Sequence, residues 1–444
     1  MPVSSAVPAA AVVPSPPHRV LSIDVLRGLT IAFMILVNDP GDSRQTYTQL
    51  EHARWNGWTL TDLIFPNFLF LVGASIILSL TTRSARGDTR PALARRIVRR
   101  AATIFLIDLF LVAFPSFHLS ELRLYGVLTR IALCYLVIGI FSLFFSRIRT
   151  FLLAATVLLV GYWILMRFVP VPGFGVPTHD VPFLDPNGNL VAVIDRALNA
   201  FFRRTLHTGR LYEGTRDPEG LLSTLPALAT TLFGAAAALW LRRNTPSSDT
   251  GSHAPLRPHQ TSEAGLAQPQ TQPQTQAQTQ AQTQAQTRTL LGFLAAGLVL
   301  LLAGLLWNPW FPINKNLWTS SYVLFAAGCS LLGLGLCYWL VDNLRLQHRS
   351  HLARVLLWPW LVFGSNAITV YAFAYLFATI LSVIRFPDPA TPNRTTSLWA
   401  YLYRHIFSHG NSTPNTSLAW ALVFVALCFI PNLLLWRKRI FLKV

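Results

Sequence analysis

The sequence predicts an all-α fold, a polytopic membrane bundle of about ten transmembrane helices with both termini cytoplasmic. Three observations carry this expectation. Of the 444 residues, 52% are hydrophobic and 12% are charged, about half the charged fraction of a soluble domain. The apolar residues gather into runs of roughly 20, the length that crosses the hydrocarbon core of a bilayer. Finally, Lys and Arg concentrate in alternate short loops, among them Arg95, Arg96, Arg99 and Arg100, then Arg147 and Arg149, then Arg437, Lys438 and Arg439. Such loops stay in the cytoplasm, so topology accounts for the net charge of +18 and nucleic acid is not needed to explain it.

In chain order, residues 1–20 are rich in Ala, Pro and Val, with no basic stretch before an apolar core; they read as a disordered lead rather than a cleaved signal peptide. The first span, 21–38, carries Asp24 and Arg27 one turn apart. A lone charge in a membrane costs roughly 3 kcal/mol or more, so the two either pair structurally or contact a ligand. The outer loop 38–60 opens on the turn Asn38-Asp39-Pro40-Gly41 and returns through Trp55, Asn56 and Trp58, an interfacial aromatic anchor. The second span, 62–81, begins with Asp62, read as a helix cap ahead of a kinking Pro66.

Spans follow at 100–117, 126–145, 151–169 and 221–241, with a long outer loop at 170–219. Arg130 sits near the outer end of the fourth, where it either snorkels to the interface or lines a substrate path. Residues 245–288, ending in Gln-Thr-Gln-Ala repeats, lack apolar side chains to bury and read as a disordered cytoplasmic linker. It divides a first bundle of six spans (21–241) from a second of four (289–444), at 290–307, 318–341, 355–381 and 417–436, ending in a basic tail. Asn366, inside the ninth span, needs a ligand or a neighbouring helix for its amide. Cys134, Cys329, Cys337 and Cys428 all lie in apolar runs and form no CxxC pair, so no disulfide framework or metal site is expected.

His52 is the residue best suited to chemistry. Neutral imidazole accepts and returns a proton near pH 7, and it can itself attack a thioester. No second His, Ser or Asp stands at a spacing that makes a triad recognisable. Across the outer face, Asn314, Lys315, Trp318 and Tyr322 combine amide and ammonium donors with an aromatic platform. They suit a sugar, the acetyl end of a pantetheine arm, or an interfacial belt.

The motifs Ser22-Ile23-Asp24-Val25-Leu26-Arg27-Gly28, Met34-Ile35-Leu36-Val37-Asn38 and His52-Ala53-Arg54-Trp55-Asn56-Gly57-Trp58 resemble those of the heparan-α-glucosaminide N-acetyltransferase family of transmembrane acyltransferases. So do Asp217-Pro218-Glu219-Gly220-Leu221, Asn314-Lys315-Asn316-Leu317-Trp318 and Gly364-Ser365-Asn366. The chain is similar to bacterial-type members lacking the N-terminal lumenal domain of animal ones. The resemblance implies transfer of acetyl from cytosolic acetyl-CoA to the amino group of a glucosamine-type sugar on the other side of the membrane. It makes His52 the catalytic residue, as general base or acyl carrier, with Asn38 beside it. It further implies a multi-pass protein of the bacterial inner membrane, possible homodimerisation, a cell-envelope amino sugar as acceptor, and no metal. Arg27 would serve the phosphates of CoA. The alternative is a transporter or flippase of a glycan or lipid precursor, with Asp24, Arg27 and Arg130 along its path.

Overall fold

The computed structural model describes residues 20–244, 272–388 and 395–442. The lead before residue 20 and the linker residues 245–271 lie outside the described residues. The helices in order are α1 (Leu21–Asn38), α2 (Ile64–Ser84), α3 (Arg90–Ala113), α4 (Val127–Phe144), α5 (Ile148–Phe168), α6 (Leu190–Thr205) and α7 (Thr224–Arg243). After the linker come α8 (Gln272–Trp307), α9 (Ser320–Cys337), α10 (Leu346–Arg349), α11 (His351–Ser365), α12 (Ala367–Val383), α13 (Leu398–Leu402) and α14 (Pro414–Arg437). A short antiparallel pair, β1 (Arg385–Pro387) and β2 (Thr395–Ser397), aligns Phe386 with Thr396.

The fold is the all-α membrane bundle that the apolar runs predict. Among the described residues, eight helices are long and apolar enough to cross a bilayer, or nine if α11 and α12 form one span. Two departures explain the difference from ten. The four arginines Arg95, Arg96, Arg99 and Arg100 occupy α3 itself, so the third expected span is a longer helix with a basic first half. The ninth expected span, 355–381, is broken: α11 and α12 meet at 82° around Asn366. The amide there accepts from the Leu442 N–H (2.8 Å) and donates to the Ile440 carbonyl (3.2 Å), bridging to the chain's own tail. The Gln/Thr repeat also departs from expectation, because α8 already begins at Gln272. Gln and Ala are good helix formers, and extending an existing helix avoids the cost of nucleating a new one.

Burial orders the helices. The α7 window is 83% buried, against 28% for α5 and α14, so α7 is central and the others face lipid with exposed side chains such as Leu153, Val157, Leu427 and Ile430. Backbone meets backbone where glycine removes the side chain. A Cβ on Gly73 would lie 1.9 Å from the Thr231 carbonyl, and one on Gly234 would lie 1.8 Å from that of Phe70; these two glycines seal α2 against α7. Gly28 and Gly364 do the same for α1 and α11, approaching the carbonyls of Trp360 and Asp24. Small residues are how membrane helices approach this closely without a hydrophobic driving force. Arg27 bonds Asp24 (2.9 Å), the Gly364 carbonyl (3.2 Å) and Ser75 (2.8 Å), so the expected pair also fastens α1 to α2 and α11.

Over the N-terminal end of α7 lies a polar layer built from residues 119–126, α6 and 206–223. Arg123 holds Asp217 through two bonds (2.6 and 2.8 Å) and Glu219 through a third. Asp195, fully buried, accepts from the Asp217 N–H (3.2 Å). Burial, with the Asp217 charge added, pushes Asp195 up to about 7. Burial would also raise Glu219, but Arg123, Arg130 and Lys315 outweigh it and hold that carboxyl below its ordinary value.

Two outcomes follow from this packing. Gly73→Leu is expected to cost about 1–3 kcal/mol through overpacking, read as a lower thermal midpoint in detergent, whereas Gly161→Leu on α5, with open space around it, should leave the midpoint near that of wild type. Because Asp195 is raised in the folded state, it favours folding below the unfolded carboxyl value of 3.8 and loses that contribution as pH rises towards about 7. Thermal midpoints of wild type should therefore fall relative to Asp195→Asn between those limits; parallel curves would contradict the assignment.

Candidate active site

The loop between α1 and α2 is folded around one carboxylate. Asp62, wholly buried, lies in the 3-10 turn Thr61–Leu63 that leads into α2. Its Oδ2 accepts from the N–H groups of Ala53 (3.1 Å) and Thr59 (3.0 Å) and from the Thr59 hydroxyl (3.1 Å). Its Oδ1 stands 2.8 Å from His52 Nδ1. The expected helix cap is therefore absent: α2 has no side-chain cap, and the carboxylate turns back into the loop, where three donors and an imidazole await it. Pro66 sits in the first turn of α2, where its missing N–H leaves no bond unmade.

The His52 side chain keeps 49% of its surface open to solvent while Asp62 keeps none. Between them the ring is oriented: an acceptor-only carboxylate fixes the proton on Nδ1, leaving Nε2 as the basic nitrogen. Lys315 approaches from the loop ahead of α9, its Nζ 3.1 Å from each ring nitrogen and 3.9 Å from Asp62 Oδ1. Burial lowers the Lys315 ammonium below its ordinary value, and Glu219 and Asp62 oppose that fall. The Lys315 amine, with 17% of its side chain exposed, thus stands beside the half-exposed imidazole.

Asn314 holds Lys315 there. It is fully buried, accepts from the Leu317 N–H (2.9 Å), bonds Thr319 through its own N–H (3.0 Å), and donates to Asn56 Oδ1 (3.1 Å). The Gly57 N–H bonds the Ile313 carbonyl (2.8 Å) in the same seam, at φ +102°, a conformation natural only to glycine. Behind the seam, the Tyr322 hydroxyl bonds the Asp62 carbonyl and Trp318 Nε1 bonds Thr230 on α7 (3.2 Å). Arg130 is also fully buried, 5.0 Å from the Trp318 ring. One of its nitrogens bonds the Gly220 carbonyl and Ser223; its Nε and Nη1 have no hydrogen-bond partner among the described residues. Arg130 therefore packs inward rather than snorkelling.

His52, Asn56, Asp62, Asn314 and Lys315 thus come together, with Trp318 and Arg130 as support. Trp55 points elsewhere: its indole bonds the Leu184 carbonyl (3.0 Å) under the Arg216 guanidinium. Asn38 is exposed at the end of α1, on the wall of a cavity of about 560 Å³ that includes Asp39, Trp399, Tyr403, Arg404 and Ser412. Asp24, Arg27 and Asn366 lie in the helix contacts already described. Sequence reasoning missed the dyad of Asp62 with His52 and the part played by Thr59; the Thr-x-x-Asp spacing, which returns a side chain to the backbone of its own turn, was the available signal. Among the described residues no cluster of His, Cys, Asp and Glu has the arrangement of a metal site.

The chain is 30% identical over 262 residues to human heparan-alpha-glucosaminide N-acetyltransferase, covering 50% of this chain and 38% of that protein. It is 28% identical over 395 residues to the mouse protein of the same name, covering 80% of this chain and 53% of that one. The chain thus spans about half, or less, of the length of these curated relatives. A sequence model of the heparan-alpha-glucosaminide N-acetyltransferase catalytic region matches residues 19–261, a stretch running from α1 through the His52 loop, the Asp217–Glu219 layer and α7. With more than half of its length under that model, and with its polar groups gathered around a histidine within it, the chain belongs to the heparan-alpha-glucosaminide N-acetyltransferase family.

Proposed function

We propose that the protein is a membrane-embedded acetyltransferase of the bacterial cytoplasmic membrane. In this reading acetyl-CoA enters from the cytosol, and the acetyl group passes to the amino group of a glucosamine-type sugar on the opposite side. The observation that supports it most is the half-exposed imidazole of His52, set between the buried carboxylate of Asp62 and the ammonium of Lys315.

The chemistry needs a base, because the nitrogen of the neutral amine must shed a proton as it becomes an amide. His52 Nε2 removes the amine proton while Asp62 steadies the imidazolium through Nδ1. The nitrogen attacks the thioester carbon; the C–N bond forms, the C–S bond breaks, and CoA leaves as a thiolate that receives the proton held on His52. Negative charge builds on the carbonyl oxygen in between, and Lys315 is the cation placed to meet it. Asn38 acts on the acceptor side in this reading, through the cavity whose wall it forms. In this reading Arg27, oriented by Asp24, serves the CoA phosphates, and Asn56, Asn314 and Trp318 set the position of Lys315.

Detergent-purified protein incubated with labelled acetyl-CoA and glucosamine tests the proposal. Wild type should label the sugar, and His52→Ala should not, while still binding acetyl-CoA. Label retained on wild-type protein without acceptor would make His52 an acyl carrier instead of a base. Asp62→Asn, which leaves size unchanged but reverses the tautomer preference of the ring, should lower kcat roughly 10²–10⁴-fold with KM for acetyl-CoA nearly constant. Neither transfer nor acetyl-CoA binding in wild type would sink the enzyme reading and favour a transporter.

A further inference from the structure

At the end of α2 farthest from Asp62 lies a second cavity, of about 700 Å³, between the last turns of α2 and α7 and the start of α5. Arg147, Arg149, Arg242 and Arg243 line it, together with Thr81 and Ser146, and no carboxylate does. None of the four arginines has an ion pair among the described residues. Like charges around one void repel each other, and an anion among them relieves the repulsion. Ile148 and Arg149, the first residues of α5, also line the cavity, so the positive end of that helix dipole favours negative charge there.

A second, independent feature narrows the ligand. Phe144 (65% exposed), Phe145 (45%), Leu152 (41%) and Leu153 (65%) flank Arg147 and Arg149 in sequence as an exposed apolar collar on the ends of α4 and α5. A soluble phosphate meets the arginines alone, whereas a molecule with an anionic head and acyl chains meets the arginines and this lipid-facing surface together. Between the cavity and the His52 loop, α2 and α7 meet backbone to backbone at Gly73 and Gly234. About 20 helical residues, or some 30 Å, separate its Thr81 edge from Asp62. Its arginines mark its side of the membrane as cytoplasmic.

We propose that this cavity binds the phosphodiester headgroup of an anionic phospholipid of the cytoplasmic leaflet, with the acyl chains lying along the Phe144 to Leu153 collar. The site is distinct from the acetyl-transfer centre and stands whether or not that reading holds.

The test is direct binding to the full-length protein in neutral detergent, with dioctanoyl phosphatidylglycerol, dioctanoyl phosphatidylcholine, inorganic phosphate and CoA as separate probes. Phosphatidylglycerol should bind saturably and phosphatidylcholine much more weakly, with binding weakening in about 0.5 M salt. Arg242→Gln with Arg243→Gln should reduce phosphatidylglycerol affinity about tenfold or more, and changing all four arginines should abolish it. If the fourfold variant fails to fold, as judged by its thermal unfolding, the double variant decides. Equal binding of the two lipids, or affinity indifferent to these substitutions, would overturn the proposal. Displacement of the lipid by phosphate or CoA would make the ligand a soluble phosphate and overturn it equally. Acetyl transfer by the double variant in detergent should match wild type, which separates failure here from failure of the enzymatic reading.

Discussion

A carboxylate removed from water has to be compensated, and the way Asp62 is compensated determines the outer face of this protein. An isolated buried carboxylate costs several kcal/mol. Here two N–H groups, a hydroxyl and an imidazole converge on it, and each draws a segment of chain into position. Ala53 and Thr59 close the loop into a ring around the charge, and Tyr322 ties the same residue's carbonyl to α9. The histidine that results is held by the carboxylate at Nδ1 and stands beside the Lys315 amine at Nε2, with about half of its side chain still open to solvent. A residue with the freedom of an exposed loop thereby acquires the orientation of a core side chain, the condition a general base has to meet.

That arrangement would drift without a rigid floor. The floor is the central group of α2, α7 and α9, where glycine lets backbones touch and where Trp318 spans from the Lys315 turn to Thr230. Charge is layered above it: Arg123 neutralises Asp217 and Glu219, and Glu219 in turn moderates the field at Lys315. Removing any member leaves another buried and unpaired, so the outer layer behaves as a unit rather than as separate pairs.

Much of the fold was legible in the sequence because lipid tolerates so few solutions: a run of about 20 apolar residues has to be a helix. The places where that reading failed are those where a polar side chain changed the backbone. Asn366 breaks an otherwise unbroken apolar run because its amide finds partners in the tail, and nothing local to residues 355–381 announces partners that distant. The Gln/Thr repeat failed for the opposite reason, since composition argued for disorder while an adjacent apolar helix supplied the nucleus. At the site, residue identities were visible through motif resemblance, but their geometry was not. Asp62 was read as a cap because caps are local and common, whereas its bond to His52 depends on the loop closing. The meeting of Asn56 with Asn314 spans 258 positions, a distance over which spacing carries no information.

The bend at Asn366 has a bearing on biosynthesis. The carbonyl it bonds belongs to Ile440, 74 residues further along the chain, beyond α14. While the chain emerges and inserts, α11 and α12 enter the bilayer before the groups that stabilise their 82° angle have been made. Until then the amide of Asn366 lacks its partners in the tail. The bend is therefore among the last parts of the fold to be secured, and it depends on a segment that contributes no span of its own.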